Sequence, residues 1–190
     1  MFIEGNDGAK IHRVSVDDEG RLFTFAVSEN EDRHINQKNG KVWSAVINGV
    51  AIDAGQYIAY FKNTGTANYH LTDIRAHMQF AASMYTVEFV SGTVGGGTSL
   101  LPAEITSRNL GSSTDPIGTM EYATAATGLT GLTSEGVLFY AGSLDNKSSH
   151  LRTSSNIIIP PGTAIAIKVI TANAAPGVTM TGSFVEVPVN

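Results

Sequence analysis

The sequence predicts an all-β protein: an antiparallel two-sheet β-sandwich, jelly-roll-like, preceded by an extended N-terminal arm. Three observations carry this expectation. Apolar residues recur with period 2 in many short runs, which is the signature of half-buried strands. The 20 glycines and six prolines fall between those runs as turn punctuation. No stretch supports a helix. Roughly eight to ten strands at this short spacing suit a sandwich or jelly roll.

The clearest strands lie between Ser155 and Ile170. Ile157, Ile158 and Ile159 are β-branched and fit a pleated surface. Pro160 and Pro161 end that strand because proline lacks an N–H and fixes its own φ, and Gly162 supplies the turn. From Thr163 onward Ile165, Ile167 and Val169 share one face, and Ala164, Ala166 and Lys168 the other.

Taken in order, residues 1–41 read as arm and linker and residues 42–190 as the sandwich. Asn6-Asp7-Gly8 and Asp17-Asp18-Glu19-Gly20 are turn signals. Between Arg21 and Ser28, Leu22, Thr24 and Ala26 oppose Phe23, Phe25 and Val27, giving one strongly apolar side that must be covered. Residues 29–40 (ENEDRHINQKNG) are polar and aperiodic, so they read as a linker.

The core begins near Val42 with Trp43, the only tryptophan. Asn48-Gly49 predicts a type I′ hairpin turn. In residues 56–62, Tyr57, Ala59 and Phe61 alternate with Ile58, Tyr60 and Lys62. Residues 69–78 slip by one around Thr72 and Asp73, which predicts a β-bulge. Residues 84–90 form a further strand. Residues 91–118 read as one long irregular region, a candidate contact surface because such loops are usually functional. Strand resumes over 119–125, residues 126–135 read as a Gly/Thr loop, and Val137 to Ala141 read as a short buried strand. A last strand covers 178–187.

The chain of 190 residues is long enough for one core plus an arm. Hydrophobic residues make up 42% and charged residues only 15%, which leaves a surface built from Ser, Thr, Asn and Gly and suits packed assemblies. A formal net charge of −5 gives no basic footprint, so direct nucleic-acid binding is not expected. With no cysteine there is neither a disulfide framework nor a thiolate nucleophile. No apolar run approaches the roughly 20 residues of a membrane span, and no export signal is visible.

Candidate chemistry is sparse. His70, His77 and Asp73 share a segment, but strand geometry puts the histidines on opposite faces unless the bulge restores them. Asp17, Asp18 and Glu19 are consecutive where a calcium loop alternates its ligands. Gly95 to Gly97 lacks the Lys-Ser/Thr of a phosphate loop, and no serine sits in a nucleophile-elbow pattern. Asn146-Lys147-Ser148 fits a glycosylation acceptor and reads as a polar turn. Glu88, Glu121 and Glu186 lie in expected strands, where carboxylates could pair across a cleft. The expectation is no enzyme, no metal and no cofactor.

Two segments resemble a known group. Residues 14–43, VSVDDEGRLFTFAVSENEDRHINQKNGKVW, resemble N-terminal segments of small structural proteins of tailed-bacteriophage virions, where a Gly-Arg-Leu strand precedes a polar linker. Residues 101–116, LPAEITSRNLGSSTDP, are similar to an Asn-Leu-Gly-Ser-Ser loop of the same group. The resemblance implies a capsid decoration (cement) protein. Such a protein is made in the host cytoplasm, is commonly a homotrimer with a jelly-roll fold, and sits on the capsid exterior to clamp the major capsid protein. No catalytic residue is carried over. Strand addition makes Leu22, Phe23, Phe25 and Val27 the expected arm contacts, and Arg108 and Asn109 the expected loop contacts. The alternative is a glycan- or receptor-binding module of a fibre or tail, with Tyr69, Tyr122 and Tyr140 as candidate platforms that their strand positions would pack away.

Overall fold

A computed structural model of the chain describes residues 2–6, 11–15, 40–78, 84–100, 104–142, 149–171 and 173–187. The chain divides into two compact units, Met1–Glu31 and Asp32–Asn190. In the first, β1 (Phe2–Asn6) pairs antiparallel with β2 (Ile11–Ser15), from Phe2 opposite Ser15 to Asn6 opposite Ile11. The expected extended arm therefore opens with a two-stranded ribbon, because two short β-prone runs flank a turn signal and each satisfies the other's backbone. The expected strand at 21–28, the linker at 29–39 and the acidic trio at 17–19 lie outside the described residues, as does Asn146-Lys147-Ser148.

The second unit begins its strands at β3 (Val42–Ile52), followed by β4 (Gln56–Asn63), β5 (Asn68–Met78) and β6 (Met84–Gly95). Three short elements come next: β7 (Gly97–Ser99), β8 (Ile105–Ser107) and β9 (Gly118–Ala123). The chain closes with β10 (Thr130–Gly142), β11 (Ser149–Ile159), β12 (Ala164–Val169) and β13 (Asn173–Val187). One sheet has the order β10-β6-β12-β4-β9-β7 and the other β11-β5-β13-β3-β8, with antiparallel pairing throughout. No helix occurs among the described residues.

This order is a jelly roll. Without β7 to β9, the sheets read β4-β12-β6-β10 and β3-β13-β5-β11. Successive strands switch sheets at every connection except the one from β6 to β10, which is the double Greek-key wrap of that fold. The three short strands are an insertion at this one exception, and they lengthen both sheets on the side opposite β10 and β11.

Aromatic packing joins the sheets. Phe61 on β4 meets Tyr69 on β5 edge-on at 5.3 Å and Phe184 on β13 at 5.0 Å, while Trp43 on β3 lies 5.9 Å from Tyr69. Trp43, Tyr69 and Phe61 are buried, so each contributes a large apolar area plus an oriented ring contact. The central strand β12 lies between β4 and β6, and Ile165, Ala166 and Val169 are all buried. Both of its faces are covered.

Several local expectations change. Asn48-Gly49 does not turn the chain. It lies inside β3, where Val50 faces Val178 and Ile47 faces Met180, so two residues oppose one and the pair forms a bulge. The flanking Val46, Ile47 and Val50 continue a ladder on both sides, and that pairing outweighs the local turn preference. A bulge at Thr72 is found as expected, since Leu71 faces Phe184 and Asp73 faces Ser183. Residues 91–118 are less irregular than expected, because β6 runs on to Gly95 and β7 and β8 are threaded through them. The Gly/Thr stretch at 126–135 already contains the start of β10. Val137 to Ala141 belong to an edge strand, where Val137, Leu138 and Tyr140 are exposed and only Ala141 is buried. A continuous apolar run reads as buried, but sequence does not say which strand ends a sheet.

Candidate interaction surface

The start of the sandwich at Gly40 to Trp43 meets the loop after β8. Gly40, Lys41, Val42 and Trp43 are gripped by the loop that follows β8. The Trp43 indole N–H donates to the Thr114 carbonyl at 2.9 Å, and the Thr114 hydroxyl donates to the Gly40 carbonyl at 2.9 Å. The Ser107 hydroxyl donates to the same Gly40 carbonyl at 3.2 Å, and the Arg108 N–H to the Val42 carbonyl at 2.8 Å. Gly40 has φ of 64°, and a Cβ there would strike the Ser112 side chain. Glycine is needed at this position for both reasons.

An ion pair closes the other side of the same bracket. Lys41 pairs with Glu186 near the end of β13. The second Glu186 oxygen accepts from the Tyr69 hydroxyl at 3.1 Å, and that hydroxyl accepts from the Ile117 N–H at 2.7 Å. Glu186 is buried, so its charge is held by both a cation and a neutral donor. Burial chiefly raises the Tyr69 pKa, with the Glu186 charge adding to it against the Ile117 hydrogen bond.

Asn109 builds the tip of the loop. Its side-chain oxygen accepts from the Gly111 N–H at 3.1 Å, and its carbonyl accepts from the Ser112 N–H at 2.9 Å. This Asx turn leaves Leu110 91% exposed. Asn109 is therefore chiefly a turn former, Arg108 is exposed beside it, and Leu110 is the protruding group. Spacing between polar residues gives no sign of that. Leu22, Phe23, Phe25 and Val27 lie outside the described residues.

The three strand glutamates do not assemble a cleft. Glu186 belongs to the bracket, and Glu88 on β6 has its own partners in the other sheet. Glu88 accepts from the Tyr57 hydroxyl at 2.7 Å and the Thr86 hydroxyl at 2.8 Å, and Lys168 lies 5.3 Å over the Tyr57 ring. Burial works to raise the Glu88 pKa, but hydrogen bonds from Tyr57, Ser134 and Thr86 and the Lys168 charge outweigh it, so the net direction is down. Tyr57 is pushed up to about 12 by burial first and by its bond to Glu88 next. A register shift makes this possible: Lys168 faces Tyr57 and Ile167 faces Ala59, leaving Ile58 extra. The expected regular alternation through 56–62 breaks at that point. Glu121, the third acid, faces Tyr60.

The histidines are restored to one side by the Thr72 bulge, since His70 faces Val185 and His77 faces Thr179. Six ladder steps separate them, about 20 Å, far beyond a shared ion. No group of three His, Asp or Glu side chains among the described residues could hold a metal. Between the sheets is an apolar cavity of about 50 Å³ lined by Ala45, Leu71, Ile165, Met180 and Phe184 among others. It is water-sized and lacks converging polar groups. No helix among the described residues is long and apolar enough to cross a membrane.

Exposed apolar side chains concentrate on β10. Val137, Leu138 and Tyr140 are 59%, 49% and 54% exposed. Of the three candidate tyrosines, Tyr69 is buried and Tyr122 donates to Glu104 at 3.4 Å. Tyr140 departs from the expectation that all three pack; it lies on β10, which among the described residues has no neighbour on one side. No family model, curated protein or solved structure matches this chain.

Proposed function

We propose that the chain is a virion structural protein of a tailed bacteriophage, a cement protein that binds the outer capsid surface and ties neighbouring coat subunits together. Its partners are the major capsid protein and further copies of itself, as a homotrimer. It takes no cofactor and performs no catalysis. The observation that supports this reading is the bracket. The arm junction at Gly40 to Trp43 and the loop from Ser107 to Ile117 are one surface, and these are the two places where the sequence resembles decoration proteins. The bracket fixes Gly40 to Trp43 at the start of the sandwich and displays Leu110 on the same loop. Cementing needs such paired contacts, because stable interfaces bury on the order of 1,500 Å² or more.

The test is rebinding to capsids stripped of their decoration. The full chain should bind, and the chain lacking residues 1–39, which keeps Gly40 and its bracket, should stay folded and lose binding. A folded full chain that ignores stripped capsids would remove the reading. A second reading, a glycan-binding module, is favoured by one observation, the exposed ring of Tyr140. A glycan array read with wild type and Y140A decides it: a hit that the substitution abolishes supports that reading, and silence ends it.

A further inference from the structure

We infer that the β10 edge is a two-fold interface through which two copies of this chain associate, with Leu138 at the axis. This does not rest on the capsid reading. Among the described residues four strands end the two sheets: β7, β8, β10 and β11. Two of these edges, β7 and β8, are only three residues long, which is one of the ways proteins blunt a free edge. β10 is left with 13 residues, no proline, no lysine and a single charge, Glu135. A long, weakly charged, apolar edge of this kind is a template for a further strand.

The occupant follows from register and charge. Leu138 and Glu135 are each the extra residue of a bulge, with no partner opposite them on β6. An antiparallel β10 pair centred on Leu138 brings Val137 of each copy beside Phe139 of the other, and Tyr140 beside Gly136. The two Glu135 carboxylates are then six residues apart along the pair, about 20 Å, well beyond the screening length of about 8 Å. Like charges are separated and the apolar run meets itself. Such self-complementarity is what an isologous contact requires.

The area is sufficient. β11, of 11 residues, is the edge of the other sheet and lies in contact with β10, so this side of the sandwich is two strands thick. Strands of this length span about 40 Å, and two sheets about 10 Å apart with their side chains span about 18 Å. That is on the order of 700 Å² per copy and 1,400 Å² in all, inside the range of about 1,200–2,000 Å² for stable complexes.

The chain has no native cysteine, so one introduced thiol reports the axis directly. Opposed Cα atoms in an antiparallel pair lie about 4.5–5.5 Å apart, within disulfide reach. Under mild oxidation L138C should convert to a disulfide-linked dimer at micromolar concentration, while L110C, on an exposed loop tip, should not. In light scattering the wild type should have twice the mass of L138K, whatever the base unit, with the substitution weakening association at least tenfold. Circular dichroism checks that L138K is folded; if it is not, the cross-linking decides. Cross-linking of L138C no faster than L110C, or equal masses for wild type and folded L138K, would overturn the inference.

Discussion

Trp43 and Thr114 are 71 residues apart in sequence and are joined by a 2.9 Å hydrogen bond from the indole N–H to the backbone carbonyl. The bond couples the first core strand to the loop tip that displays Leu110. Losing the donor leaves a partly buried carbonyl without its partner, which costs about 1–3 kcal/mol. W43F should therefore lower the melting temperature and speed amide exchange over residues 108–117 more than elsewhere. Uniform protection across that loop would show that the bond does not hold it.

Gly40 and Ser112 define a second test of the same bracket. In G40A the new Cβ meets Ser112 in a left-handed backbone conformation, so two costs add. Each is of order 1 kcal/mol. Both the Ser112 Oγ and Cβ stand in the way, so G40A/S112G, compared with S112G alone, should recover only the steric part, as read by denaturant midpoint at constant slope. Full recovery would mean that the backbone conformation carries no cost.

Two positive-φ glycines should behave differently. Gly162 has open space around its missing Cβ, whereas a Cβ at Gly177 would collide with the Val50 backbone at the β3–β13 bulge. G162A should cost about 1 kcal/mol from the backbone alone. G177A should cost well above about 2 kcal/mol, because backbone cannot move aside as a side chain can. Equal melting temperatures for the two variants would contradict the close approach.

Glu88 gives a pH signature. Its folded pKa lies below the ordinary value of 4.5, so its ionised form stabilises the fold at neutral pH. That contribution is present above the unfolded value and is lost as pH falls through the folded one. Melting temperature measured from about pH 6 down to about pH 3 should fall more steeply for wild type than for E88Q. Parallel curves would assign the acid sensitivity to other groups.

Tyr57 reports the same cluster from the alkaline side. With its pKa pushed up to about 12, it stays protonated after exposed tyrosines have ionised. Its stabilising hydrogen bond is fully present below the unfolded value near 10 and is lost as pH rises through the folded one. In a spectrophotometric titration, Y57F should remove amplitude from the late phase and leave the early phase intact.

Much of the architecture is legible in the residues themselves. Ile165, Ile167 and Val169 alternate as strand residues do, Pro160-Pro161-Gly162 ends one strand before another begins, and the slip at Thr72 marks a true bulge. These signals are local, set by backbone sterics and by which side of a strand is apolar. Asn48-Gly49 misleads for the same reason: its turn preference is local, and the ladder that overrides it is formed with β13, far along the chain. The run from Val137 to Ala141 misleads because an apolar stretch looks the same whether a neighbour covers it or not.

The candidate site was least legible. Lys41 and Glu186 are 145 residues apart, and nothing near either names the other. Arg108 and Asn109 lie on the loop that holds Gly40 and Trp43, yet the residue that protrudes there is Leu110. Asn109 uses its side chain to build the turn, a role that only the loop conformation reveals.

The sequence by itself determined that this chain is an all-β sandwich with little charge and a polar, turn-rich surface, though not how long its strands run. Period-2 alternation and turn chemistry act between near neighbours and need no partner to be read. The tertiary structure alone decided the jelly-roll order, the meeting of the arm junction with the β8–β9 loop, and the exposure of β10. Strand neighbours are chosen by long-range pairing and burial, and these are energies that no local stretch of sequence contains.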